Sequence, residues 1–193
     1  MKITTTKMLA ACCLNVAWLA VGLAQTRAID PATSVLTVHV YKAGVLSAFG
    51  HNHEISAPVA GGTVDVAGRK VEFHTNARSL EVRDPGVSDK DRAQIQATML
   101  GPEVLDAANN PEIVFRSTSA TASGDGSWSV QGNLTLHGQS RPITVDVRET
   151  AGTYQGTVRL KQSEFGIKPV KVGGGTVRVK DEVQIDFNIH LAR

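Results

Sequence analysis

Hydrophobic and polar residues alternate one for one along most of the chain, the repeat of a strand with one buried and one wet face. The clearest run is Val183, Ile185, Phe187, Ile189 and Leu191, interleaved with Gln184, Asp186, Asn188 and His190. Trp128, Val130, Leu134 and Leu136 form another such row, with Gly132 standing in it, and Ile143, Val145 and Val147 a third. Tyr154, Val158 and Leu160 make a fourth. The connectors carry turn chemistry: Ser123-Gly124-Asp125-Gly126, His137-Gly138-Gln139-Ser140 before Arg141-Pro142, and Ala151-Gly152. Upstream, Ser34–Tyr41, a stretch from about Ile55 to Val66, Val71–Asn76 and Ile113–Thr121 read as further strands, with Val66-Ala67-Gly68-Arg69 as a turn. The pattern predicts about eight strands.

One segment departs from the alternation. Ile95, Met99 and Leu100 recur at helical spacing, Ser88 can cap a helix start, and Gly101-Pro102 ends it. The spacing predicts a helix over Asp89–Leu100, between the third and fourth strands, with one more turn over Glu103–Ala108. Strands with one apolar row each can bury those rows in a two-sheet sandwich or inside a closed barrel, and the pattern alone permits both. Closure has the advantage of leaving no exposed sheet edge.

The first residues modify this picture. Lys2 and Lys7 precede an almost uncharged run from Met8 to Ala24 that ends Gly22-Leu23-Ala24, the organisation of a secretory signal peptide cleaved near Ala24. Leu9-Ala10-Ala11-Cys12 resembles a lipid-attachment box but has almost no apolar stretch before it. Residues 25–193 then form a single domain, expected in the periplasm or outside the cell. Both cysteines, Cys12 and Cys13, fall in the removed segment, so the mature domain has no disulfide and no cysteine nucleophile. The segment also removes two of the 20 basic residues, leaving them equal in number to the 18 acidic ones. That balance, without any run of like charge, argues against nucleic-acid binding.

Four motifs in register then point to one family: Asn110-Pro111-Glu112-Ile113-Val114-Phe115-Arg116-Ser117; Gly132-Asn133-Leu134-Thr135-Leu136-His137-Gly138 with Arg141-Pro142-Ile143; Ser163-Glu164-Phe165-Gly166-Ile167; and Asp181-Glu182-Val183. In this order they resemble the YceI-like family of periplasmic polyisoprenoid-binding proteins, from about Ser34 to the C-terminus. The resemblance implies an all-β fold, an eight-stranded antiparallel lipocalin-like barrel with a short helical insertion. It also implies a long isoprenoid, isoprenoid-quinone or fatty-acyl ligand, and no enzymatic activity. This chain departs from the commoner members, which carry Arg-Asp-x-His-Leu where Asp91-Arg92-Ala93-Gln94-Ile95 stands. Phe49-Gly50-His51-Asn52-His53-Glu54-Ile55 looks like a histidine-bearing variant found in part of the family.

The expected ligand-binding residues are Phe49, His51, His53, Phe73 and Phe115, together with Trp128, Leu134, Phe165 and Phe187. His51 and His53 lie two apart, so in a strand they point the same way, in a row with Phe49 and Ile55. They could bind the oxygen of a ligand head group; the plainer reading is a pair of loop histidines, and a metal normally wants a third protein ligand. His74, His137 and His190 occupy polar rows, where exposure is expected, and the side taken by His39 is undecided. Gly173-Gly174-Gly175 beside Lys171 lacks the spacing of a phosphate loop and reads as a turn. Ser47, Ser79 and Ser163 sit in no nucleophile elbow, and Asn133-Leu134-Thr135 is a glycosylation triplet only in a eukaryote. No catalytic residue, metal site or cofactor is expected. The expected partner is an apolar, lipid-like small molecule, with no stable membrane insertion once the signal is removed; a homodimer is compatible with the pattern. The alternatives are a histidine-dependent metal-binding or redox-associated protein and a ligandless interaction module whose core is solid.

Overall fold

A computed structural model describes residues 26–43, 52–172 and 177–192. The predicted signal segment, Phe49, His51 and the triple glycine lie outside the described residues. The elements are β1 (Thr26–Ala28), β2 (Val35–Ala43), β3 (His53–Pro58), β4 (Gly61–Asp65), β5 (Lys70–Asn76), β6 (Glu81–Val82), α1 (Asp89–Leu100), β7 (Glu112–Gly124), β8 (Ser127–Leu136), β9 (Gln139–Thr150), β10 (Thr153–Lys161), β11 (Lys171–Val172) and β12 (Val177–His190). The strands form one antiparallel sheet in the order β1-β4-β5-β7-β8-β9-β10-β12-β2-β3-β6, with β11 on the edge of β12.

The sheet curls into a barrel as the chain itself brings its two arms together. β3 pairs with β2 and runs through Pro58–Ala60 into β4, which pairs with β1. Beyond β1, Ile29 bridges Leu191, the Asp30 amide donates to the His190 carbonyl (2.8 Å), and the Ala192 amide donates to the Ala28 carbonyl (2.8 Å). The N-terminal strand thereby touches β4 on one side and the end of β12 on the other.

Among the described residues twelve strands stand where eight are expected, and two of the differences have local causes. The run expected from Ile55 to Val66 is divided at Pro58, which lacks the amide a ladder needs. After β5 a 3-10 turn over Ala77–Ser79, begun by the Asn76 side chain accepting from the Arg78 amide (2.9 Å), redirects the chain into β6. β6 pairs with β3 through only two residues, too short for an alternating pattern to register. The helix therefore follows the sixth strand, not the third.

α1 has the expected bounds: the Ser88 hydroxyl accepts from the Asp91 amide (3.2 Å) and Gly101 ends it. Residues 103–108 form turns instead of another helical turn. The β7–β8, β8–β9 and β9–β10 connections place consecutive residues at positive φ: Asp125-Gly126, His137-Gly138 and Ala151-Gly152. That is the two-residue turn whose twist matches the strands it joins. Two glycines in the apolar rows make room for rings. A Cβ on Gly132 would lie 2.5 Å from the Phe115 ring, and one on Gly156 2.5 Å from that of Phe187.

Candidate functional site

The inward rows do not meet in the middle. They enclose an elongated cavity of about 260 Å³ whose lining is almost entirely hydrophobic. Leu36, Val38 and Val40 of β2 share it with Val145 and Val147 of β9 and Val183 and Ile185 of β12. Phe73 and Phe115 face each other on β5 and β7 with ring centroids 5.7 Å apart. Both line the cavity, as do Trp128, Leu134, Phe165 and Phe187. A core with Phe73, Phe115, Leu134 and Phe187 packed solid is therefore not what forms.

The two ends of the cavity differ. At the far end, β10 gives way to a 3-10 turn, Gln162–Phe165, which drives Phe165 into the barrel at 0% exposure. The His137 ring hydrogen-bonds through Nδ1 to the Phe165 carbonyl (3.0 Å), and Arg141 Nε donates to that of Glu164 (2.8 Å). His137 is thus half-buried, contrary to its polar-row position, because the β8–β9 turn folds over this segment. The helical insertion adds Met99, Val104 and Leu105 to the same end. Gln96 of α1 grips the open edge of β6: its Nε2 donates to the Leu80 carbonyl (2.7 Å) and its Oε1 accepts from the Val82 amide (2.8 Å). A short edge strand is capped by a side chain in this way.

His53 does not line the cavity. Its Nδ1 lies 2.6 Å from Oδ2 of Asp84, whose side chain is 1% exposed against 20% for the imidazole. The other Asp84 oxygen accepts from the Glu54 amide (2.7 Å). A buried carboxylate needs partners of this kind, and this one joins β3 to the segment that leads into α1. Asp84 lies 31 positions from His53, at no periodic spacing. Among the described residues no group of three or more His, Cys, Asp or Glu side chains could hold a metal.

The opposite end is a rim built by the β4–β5 and β9–β10 turns. There Asp65, Arg69, Lys70, Glu149 and Tyr154 join Val66 and Trp128 in the lining. Burial, reinforced by the Glu149 carboxylate and opposed by the Arg27 guanidinium, raises the pKa of the Tyr154 hydroxyl above the ordinary phenol value. The residue stays a hydrogen-bond donor at neutral pH. Glu149 lines the cavity without standing among the residues expected there. Its signal was available, since it continues the Ile143, Val145, Val147 row by one more step of two.

His39 lies on the outer surface, in register with Gln184, its Nε2 2.9 Å from Asp186 Oδ2. A hydrogen bond from the Thr157 hydroxyl (2.6 Å), aided by His39 and Gln184 against partial desolvation, holds the pKa of Asp186 below the usual aspartate value. His190 is half-buried, its Nδ1 3.3 Å from the Thr153 hydroxyl, and His74 is exposed. No helix among the described residues is long and apolar enough to cross a membrane.

Comparison with known proteins agrees with this architecture. A family model described as YceI-like domain matches residues 28–191. A UPF0312 protein of Vibrio cholerae serotype O1 is 28% identical over 133 residues, covering 63% of this chain and 64% of that protein. The match therefore spans somewhat less than two-thirds of the relative's length. A UPF0312 protein of Pseudomonas aeruginosa is 32% identical over 90 residues, covering 42% and 47%. Among solved structures, Burkholderia cenocepacia BcnA superposes with a TM-score of 0.60 at 20% identity, covering 86% of this chain and 99% of that one. The Campylobacter jejuni YCEI protein superposes with a TM-score of 0.50 at 10% identity, covering 98% and 99%. At those identities the likeness concerns the fold.

Proposed function

The chain belongs to the YceI-like family, and on that premise we propose that it is an exported binding protein that holds one long apolar ligand, a polyisoprenoid, isoprenoid quinone or fatty-acyl compound, inside the barrel. The observation that carries this reading is the apolar cavity of about 260 Å³ running along the barrel interior. At about 0.8 kcal/mol for each methylene taken from water, ten enclosed methylenes give a gross gain of roughly 8 kcal/mol, from which the ordering of a flexible chain subtracts. Shape and dryness supply that gain without any catalytic group. The signal-like segment ending at Ala24 supports export to the periplasm. Phe73, Phe115, Trp128, Leu134, Phe165 and Phe187 would contact the hydrocarbon. Phe49 and His51, outside the described residues, are kept as candidates near the β2–β3 connection.

The decisive test is solvent extraction of the protein purified from its natural host, followed by mass spectrometry. A stoichiometric lipid is expected. Repeated absence of any lipid, together with failure of the delipidated protein to take up an apolar fluorescent reporter, would reject the carrier reading.

A further inference from the structure

Charge is not spread evenly along the chain. Between Lys161 and Lys180 it carries Lys161, Lys168, Lys171, Arg178 and Lys180 against one acid, Glu164, although the totals, 20 basic and 18 acidic, are nearly balanced. The fold gathers part of this surplus on one face of a ribbon. β11 pairs with β12 so that Lys171 stands opposite Arg178, and Arg178 stands opposite Ala43 of β2. Lys180 is two residues on from Arg178 and shares its face; its Nζ lies over the Tyr41 ring, 5.7 Å from the centroid. Lys168, Lys171, Arg178 and Lys180 are all exposed.

The ribbon is fixed to the barrel end that buries Phe165. The Val179 amide donates to the Val170 carbonyl (3.1 Å), and Gln162 Nε2 donates to the Lys180 carbonyl (2.9 Å). The acids next along β12 are already engaged. Asp181 accepts from the Ser163 amide (2.8 Å) and hydroxyl (2.6 Å), while Glu182 stands in register with Lys161 and 3.9 Å from Arg159. Among the described residues no carboxylate forms an ion pair with Lys168, Lys171, Arg178 or Lys180. Like charges collected on one rigid face repel one another and raise the local concentration of anions. An anionic partner relieves that repulsion.

We infer that this face of β11, β12 and the end of β2 docks the protein on an anionic lipid surface. Two features favour lipid over a folded acidic partner. The cations are mainly lysines, point charges on long stems that suit mobile head groups, whereas a fixed carboxylate is better matched by the planar fork of arginine. Tyr41, set among them, is an amphipathic ring of the kind that rests at head-group level, its body in apolar surroundings and its hydroxyl in water. Each Lys or Arg held near such a surface strengthens binding about fivefold, and salt screens the attraction. Neither Tyr41 nor the four cations line the cavity, so the surface lies outside the site of the carrier reading and goes beyond it.

The test is cosedimentation of the purified protein with vesicles of phosphatidylcholine, alone or with about one-third phosphatidylglycerol. Binding is expected to the anionic vesicles only, and should be lost at about 0.5 M salt. Lys171→Ala with Arg178→Ala should weaken it roughly twentyfold, and Lys180→Ala about fivefold. Arg116→Ala with Arg148→Ala removes the same charge from β7 and β9 and should change binding less than about twofold. All these positions are exposed, so the variants should keep the unfolding transition of the parent. Equal losses in the two double variants would reduce the effect to net charge and overturn the docking face. So would equal binding to both vesicle types, or binding to neither. A protein that ignores vesicles yet binds polyglutamate would have an acidic polypeptide as its partner, which also overturns the lipid assignment. Vesicle binding needs no cargo and cargo uptake needs no vesicle, so failure here is distinguishable from failure of the carrier reading.

Discussion

The two ends of the barrel are made by different means. The rim is made by sheet chemistry alone: short turns between strands, with Glu149 and Tyr154 at the ends of inward rows that are otherwise apolar. The far end is assembled from pieces outside the alternating pattern, namely α1, the Phe165 turn and the Asp84–His53 contact. At the rim, polar groups are only half-buried and water can satisfy them, so their identity is free to follow a ligand. At the far end they are enclosed, so each must find a protein partner or cost stability. The far end should therefore govern stability and the rim selectivity.

The largest test of that division is Phe165→Ala. Removing a wholly buried ring should cost about 3–5 kcal/mol in urea unfolding; a loss under about 1 kcal/mol would mean the end is not sealed by this residue. Next is Asp84→Ala, which strands the His53 ring and the Glu54 amide. A loss of about 2–3 kcal/mol is expected, with hydrogen exchange rising first in β3 and around α1. Exchange rising uniformly over the barrel would show that the contact does not act locally.

Gly132→Ala probes the barrel wall between the two ends. Its Cβ would meet both the Phe115 ring and the Arg116 carbonyl at 2.5 Å, so about 2 kcal/mol should be lost. Phe115→Leu in the same chain should restore only part of it, because the backbone contact stays. Full recovery would assign the whole clash to the ring.

The smallest effect belongs to the rim. The raised pKa of Tyr154 favours its neutral form in the folded state. Its contribution to stability is complete below the ordinary phenol value of about 10 and declines as pH rises from there through the native value. With Tyr41→Phe as background, the chain's other tyrosine is silent and ultraviolet titration reports Tyr154 alone. Adding Glu149→Gln should lower the midpoint without returning it to the ordinary value, since burial is the larger cause. An unmoved midpoint would separate the two side chains. Tyr154→Phe should leave stability within about 0.5 kcal/mol.

How much of this was legible beforehand depends on how far apart the interacting residues lie. Trp128, Leu134 and Phe187 are legible as lining residues because they sit in rows of period two, and a row is a local property, whereas Phe165 lies in a 3-10 turn and enters only through the family resemblance. Ser88 and Gly101 were readable for the same reason, as helix ends carry their signals within one turn. The row His53 shares with Phe49 and Ile55 points it toward the interior or its mouth, but a row says nothing of the partner a side chain finds. Asp84, which takes the ring, belongs to another part of the chain and follows no spacing rule. β6 was missed because two residues show no period, and Gln96 because a side chain capping a strand edge looks like any polar helix residue.

The order of hydrophobic and polar residues, with the turn residues between, determined by itself that the chain is an antiparallel β protein with a helical insertion and which rows of its main strands are apolar. It could do so because strand pairing and side-chain direction follow from neighbours one to four positions apart. Whether the inward rows fill their space or leave a void depends on the curvature of the whole sheet, the bend at Pro58–Ala60 and the joining of β1 to both β4 and the end of β12. Those are long-range facts, and the tertiary structure alone decided that the interior is hollow and that its two ends are chemically unlike.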